Sequence, residues 1–274
     1  MRIRVDQATT VSGDLAVPAP GGGGPLTVAV VLGHGAGADM TNAFLSAVHE
    51  GLAARGAVVL KFNFAYTEAG RKAPDAPAKL VATYRAAAAW LAAQPEAEGR
   101  PLVLGGKSMG GRIASHLAAE GDRADGLLFL GYPLHPAGRP GTLRDRHLAS
   151  VEAPMLFVTG TRDALCDLAL LRPVLERLGG RATLALIEDG DHSFHVRRAS
   201  GRDDLAAREE VIEAGARWLE TISGSRPGEA GDASRSRPRP SPPAPPSPAA
   251  TPRRRAKSPG PSSSSGRGGT RKAR

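Results

Sequence analysis

Between residues 27 and 221 the chain alternates short apolar runs with stretches of helical periodicity. The runs at 27–33, 57–64, 100–106, 125–133 and 153–163, and the start of 182–194, are largely apolar at successive positions rather than at every second one. Continuous apolarity over strand length marks strands buried on both faces. The stretches between them differ. Phe44, Leu45, Val48 and Leu52 recur at helical spacing in 42–54, and Gly56 stands where a helix of that length would end. Residues 79–94 are alanine-rich and closed by Pro95. Residues 168–179 and 203–221 also read as helices, with Pro173 weakening the first or marking its first turn. Strand and helix in alternation require a parallel sheet covered by helices on both faces, with right-handed crossovers. The prediction is an α/β fold over residues 1–222, preceded by β-leaning pieces at 3–5 and 15–17 and interrupted by a polar loop at 65–77.

From residue 223 the composition shifts to Pro, Ser, Arg and Gly, with almost nothing apolar. Such a segment cannot bury enough surface to offset its ordering entropy, so 223–274 is predicted to be a disordered basic tail. The tail holds twelve Lys and Arg against two acids, while the whole chain carries +9. The body is therefore nearly neutral, which argues against a dedicated nucleic-acid-binding domain. The tail's charge allows only weak, salt-dependent contact with nucleic acid or acidic surfaces, and it has no interleaved aromatics for base stacking. Cys166 is the single cysteine, so no internal disulfide is possible. With no apolar region after the first charges and no run long enough to span a bilayer, the expectation is a soluble, cytoplasmic protein.

The stretch GGKSMGG, residues 105–111, sets one serine among glycines where a predicted strand meets a predicted helix. Gly106-x-Ser108-x-Gly110 is the pattern of a nucleophile elbow, whose turn is too sharp for Cβ atoms two residues either side of the serine. A serine alone is a poor nucleophile and needs a base. His192 follows the last core strand, where a loop can return it to the serine; His195 is the alternative. The base needs a carboxylate. Asp163 stands at the carboxyl end of a predicted strand, where parallel sheets gather their sites, with Asp167 as runner-up. The developing oxyanion needs two donors. The backbone N–H of Met109 follows the nucleophile, and the loop GHGAGAD offers Ala36, with Gly37 as the alternative. Tyr132 and His135 are candidate substrate contacts at the mouth. Lys107 and Arg112 flank the elbow, with Lys61 and Arg71 expected near its rim. His34 is expected to organise the glycine loop.

VVLGHGAGADM, GGKSMGGRIAS, LGYPLHPAG, LFVTGTRD and GDHSF together resemble the α/β-hydrolase superfamily, its dienelactone-hydrolase-like branch, and within that the family related to testis-expressed protein 30. The resemblance covers about residues 1–222. It implies a mostly parallel sheet of about eight strands and the triad Ser108, Asp163 and His192, with serine where dienelactone hydrolases proper use cysteine.

The expected chemistry is hydrolysis of a carboxylic ester through an acyl-enzyme, with no metal or cofactor. The short segment between the runs at 125–133 and 153–163 leaves no room for a large lid, so the substrate is expected to be small or short-chained. Two other readings share the sequence: a serine peptidase, and a protein-interaction subunit on a hydrolase fold. The oligomeric state is left open.

Overall fold

The computed structural model describes residues 1–19 and 24–224. The tail from 223 lies outside these, apart from Ser223 and Gly224. An eight-stranded sheet runs through the described part in the order β1-β2-β4-β3-β5-β6-β7-β8. The strands are β1 (Arg2–Arg4), β2 (Thr10–Ala16), β3 (Ala29–Gly33), β4 (Val58–Phe62), β5 (Leu102–Lys107), β6 (Gly126–Leu130), β7 (Met155–Gly160) and β8 (Ala182–Ile187). β1 and β2 pair antiparallel, as do β2 and β4; all pairs from β4 to β8 are parallel.

The apolar runs split by parity, as a doubly covered sheet requires. Val31, Leu60, Leu104, Phe129 and Phe157 face one layer, and Val30, Val59, Val103, Leu128 and Leu156 the other. The first layer is closed by α3 (Pro77–Ala92), α4 (Met109–Ala119) and α5 (Leu168–Leu178), the second by α1 (Ala43–Ala54) and α6 (Asp204–Ser223). Side-chain caps start three of these helices. Asn42 accepts from Leu45 N, Asp167 from Ala169 N and Asp203 from Ala206 N.

Four local readings change. β2 is a full strand from Thr10, although Ser12, Gly13 and Asp14 lower its β-propensity. The polar loop at 65–77 holds a short helix, α2 (Ala65–Glu68), with Ala65 and Tyr66 buried. Pro77 is the first residue of α3, where its missing N–H costs nothing. Pro173 lies inside α5 rather than in its first turn. Between β6 and β7, residues 131–154 hold only a 3-10 turn (Arg146–Ser150), so no lid covers the strand ends. No helix among the described residues is long and apolar enough to cross a membrane.

The antiparallel edge is fastened to α2 through Glu68. Its carboxylate accepts from Ser12 N at 3.0 Å, Ser12 Oγ at 2.9 Å and Asn63 Nδ2 at 3.2 Å, and pairs with Arg2. Burial opposes the charge, but these donors outweigh it and hold the Glu68 carboxyl at about 2, below its ordinary 4.5. A depressed folded value means the stabilisation is complete above the ordinary value and lost as pH falls toward the folded one. Glu68→Gln is therefore expected to unfold at lower urea concentration than wild type at neutral pH. The difference should shrink as the titrations are repeated toward pH ~3.

Candidate active site

The carboxyl ends of β3, β5, β7 and β8 converge on one cavity of about 550 Å³. Parallel sheets place sites at this edge because loops from several strands meet there. Ser108 follows β5 at the N-cap of α4, with φ 50° and ψ −110°. A serine held in the left-handed half of backbone space costs about 1–3 kcal/mol, and surrounding structure must enforce it. The enforcement is visible. A Cβ on Gly106 would stand 2.1 Å from the Gly33 carbonyl oxygen, and one on Gly110 2.0 Å from the same atom. The elbow glycines are thus required by the main chain of β3, pressed between them, rather than by each other.

His192 Nε2 lies 2.9 Å from Ser108 Oγ. Its Nδ1 lies 2.9 Å from each oxygen of Asp163, whose side chain is fully buried. Asp163 Oδ1 also accepts from Leu165 N at 2.8 Å, which fixes the carboxylate's plane. With Nδ1–H donated to Asp163, Nε2 is left as the acceptor facing the serine hydroxyl. The histidine loop is braced by its own acids. Asp191 Oδ1 accepts from Ser193 N and His195 N at 2.7 and 2.9 Å. Asp189 binds Arg197 N and the Arg197 guanidinium. Ser108, Asp189 and Phe194 are the non-glycine residues with positive φ among those described, so backbone strain is concentrated around this one site.

Met109 N–H opens α4 beside the serine, and Ala36 belongs to the loop that lines the same cavity. Among the described residues neither amide donates to a protein acceptor. Gly37, next in the loop, has φ 75° and open space around it. His34 is buried beneath. Phe64 N–H donates to its Nε2 at 3.1 Å, so its Nδ1–H is the donor to Gly35 O at 2.8 Å. Burial holds its pKa below the ordinary value, which keeps it neutral as a loop support.

The remaining sequence candidates lie elsewhere. His195 is exposed and bonded to Asp204 at 2.7 Å, and Asp167 caps α5. Tyr132 and His135 do not line the cavity at Ser108. Tyr132 is buried in the layer below and donates to Arg144 O at 2.7 Å. His135 Nε2 accepts from Asp167 N at 3.3 Å and Nδ1 lies 3.1 Å from Pro136 O, so its ring ties two loops together. Lys61 binds Ser46 and Asp14, and Arg71 pairs with Asp75. Burial pushes the Cys166 thiol up to about 12, with Asp163 adding to the shift, so it is no substitute nucleophile.

Two residues matter more than the sequence suggests. Tyr84 in α3 accepts from Gly105 N–H at 2.7 Å and has the carbonyls of Gly105 and Val31 within reach at 2.7 and 2.9 Å. It thereby joins β3 to β5 directly beneath the elbow. A lone tyrosine in an alanine-rich helix is its only trace in the sequence. Lys107, expected only to flank the elbow, is half-buried and reaches the main chain of the histidine loop.

A strained serine at a strand-to-helix turn, joined by hydrogen bonds to a histidine and a buried carboxylate at the open edge of an eight-stranded sheet, belongs to the α/β-hydrolase architecture. The chain is a member of the family described as alpha/beta hydrolase domain, whose model matches residues 27–220. Solved structures share the fold. A lid-less serine hydrolase from Xanthomonas campestris is 23% identical, with a TM-score of 0.62, over 80% of this chain and 94% of that one. A dienelactone hydrolase from Anabaena variabilis is 22% identical, with a TM-score of 0.62, over 81% and 95%. A Pyrococcus furiosus esterase is 18% identical, with a TM-score of 0.60, over 80% and 90%.

Proposed function

We propose that this protein is a serine hydrolase that cleaves small carboxylic esters through an acyl-enzyme. The observation that carries the reading is the unbroken line from Ser108 Oγ through the imidazole of His192 to Asp163, with 2.9 Å at each joint. Ser108 Oγ attacks the ester carbonyl as His192 Nε2 takes its proton. The N–H groups of Met109 and Ala36 receive the oxyanion. The imidazolium, steadied by Asp163, protonates the departing alkoxide, and the alcohol leaves. Water then repeats the sequence on the acyl-serine and releases the acid.

The cavity favours a modest substrate. Phe44 and Phe194 stack at 5.2 Å along one wall, joined by Leu45 and Leu165. A wall this short, with no lid above it, suits short acyl chains. Finer placement among the relatives of testis-expressed protein 30 rests on the five motifs quoted above.

The test is a panel of p-nitrophenyl esters of graded chain length, run beside short peptide substrates. Turnover should be highest for the shortest esters. Asp163→Asn should keep the fold but lower kcat by roughly 10⁴-fold, because an amide holds the wrong tautomer of the imidazole. Peptide cleavage without ester cleavage would replace the esterase reading by a peptidase. An Asp163→Asn protein as active as wild type would remove Asp163 from the mechanism.

A further inference from the structure

The side chain beside the nucleophile has no place in that mechanism, yet its surroundings are unusual. Lys107 ends β5 and directs its ammonium inward, under the loop that carries His192. Nζ donates to the backbone carbonyl of His192 at 2.6 Å, a short, charge-assisted bond. The same nitrogen lies 5.5 Å from the centre of the Phe194 ring, within cation–π range. No carboxylate among the described residues pairs with it directly, but Asp163 and Asp191 both exert an attraction on it.

Gly131 shows how tightly these groups converge. A Cβ there would stand 3.0 Å from Lys107 Nζ, 3.3 Å from His192 O and 3.6 Å from Asp163 Oδ2. The ammonium, the histidine's main chain and the carboxylate that orients the imidazole therefore border one small space. From there a cation acts on the triad in two ways. It ties the backbone of the base to the strand that bears the nucleophile. It also offsets the charge of a carboxylate that has no solvent exposure of its own.

We propose that Lys107 is a positioning residue for the acyl-transfer reaction, holding His192 in register with Ser108 and balancing the buried charge of Asp163. The inference rests on the serine-hydrolase reading and adds to it a titratable control on the base. Burial drives the Lys107 ammonium down to about 8 from its ordinary 10.5, against the attraction of Asp163 and Asp191. Below about 8 the ammonium form holds the loop; above it the amine binds the carbonyl weakly and leaves Asp163 without compensation. Activity should therefore step down to a lower plateau as pH rises through that value. Stability should move the opposite way. The unfolded chain binds the extra proton between the folded and ordinary values, so the folded state gains stability there as pH rises. An alkaline loss of activity in a protein that is not unfolding is the signature.

The experiment measures kcat and KM for a short p-nitrophenyl ester from about pH 7 to 10. It uses wild type, Lys107→Met and Lys107→Arg, after fluorophosphonate labelling of the wild type has tested the serine-hydrolase reading by itself. Lys107→Met should lower kcat by roughly 10- to 100-fold at neutral pH, the effect of a small misplacement of a reacting group. KM should change less than kcat, because Nζ is bonded to the main chain of the base, although the residue also lines the cavity. Its profile should lack the alkaline step and meet the wild-type curve at high pH. Lys107→Arg should recover most of the rate and stay flat, because its charge does not titrate in this range. Wild-type kcat in Lys107→Met, or an alkaline step that persists in either variant, would overturn the proposal. So would a labelled, active wild type whose profile is flat, a result that needs no variant to fold.

Discussion

Ester hydrolysis by a Ser108→Ala protein is expected to fall by roughly 10⁴- to 10⁶-fold in kcat, with little loss of stability. The magnitude follows from the geometry. The hydroxyl lies 2.9 Å from an imidazole nitrogen placed to take its proton, and the buried Cys166 thiol cannot replace it. Little fold energy depends on the hydroxyl, which makes no capping bond to α4. The residual rate should come from the cavity and its backbone donors alone. His192→Ala should be almost as severe. The double variant should be no worse than either single one, because the two side chains act as a unit. Steady-state kinetics on the three proteins, with circular dichroism to confirm their folds, checks this directly.

The second large effect is on stability. Gly106→Ala should destabilise the protein by about 4 kcal/mol or more, and lower Tm by roughly 10 °C or more. Two causes coincide. Gly106 has φ 142°, which L residues rarely adopt, and its Cβ would sit 2.1 Å from a main-chain oxygen at the centre of the sheet. A flexible side chain can retreat from such a contact; the backbone of β3, paired with β4 and β5, cannot without breaking its ladder. Gly215→Ala is the control. It lies within α6, where a Cβ would meet Leu128 at an ordinary 3.9 Å. Helix propensity should then stabilise that variant by up to about 1 kcal/mol. Thermal unfolding of the two proteins side by side separates a steric requirement at the elbow from a general cost of replacing glycine.

The contrast between these glycines shows where the sequence is legible. The runs that form β3 to β7 could be read because each is buried on both faces and so largely apolar, Lys61, Lys107 and Thr159 apart. β2 could not, because only alternate residues of Thr10–Ala16 turn inward and Gly13 and Asp14 blur the pattern. Ser108, Asp163 and His192 are legible because each stands at a break between an apolar run and a glycine or acid. The structure brings these three within hydrogen-bond reach. Tyr132 and His135 also stand after such a run, but the chain turns inward there and packs both under the sheet edge. Tyr84 gives no usable signal, and Lys107 is legible only as a neighbour of the elbow. Each acts through an approach between elements distant in sequence, with a tyrosine crossing to Gly105 and a lysine crossing to residue 192. Spacing along the chain carries no trace of such contacts.

The central claim is that this one hydroxyl has been made nucleophilic by its neighbours, and an active-site-directed fluorophosphonate reads that property without knowledge of the substrate. Incubation of the folded protein with the probe, followed by peptide mapping of the adduct, should find a single modified residue, Ser108. Modification should disappear in Asp163→Asn and His192→Ala proteins on the same time scale. An unmodified but well-folded wild type, or an adduct on any other side chain, would contradict the account.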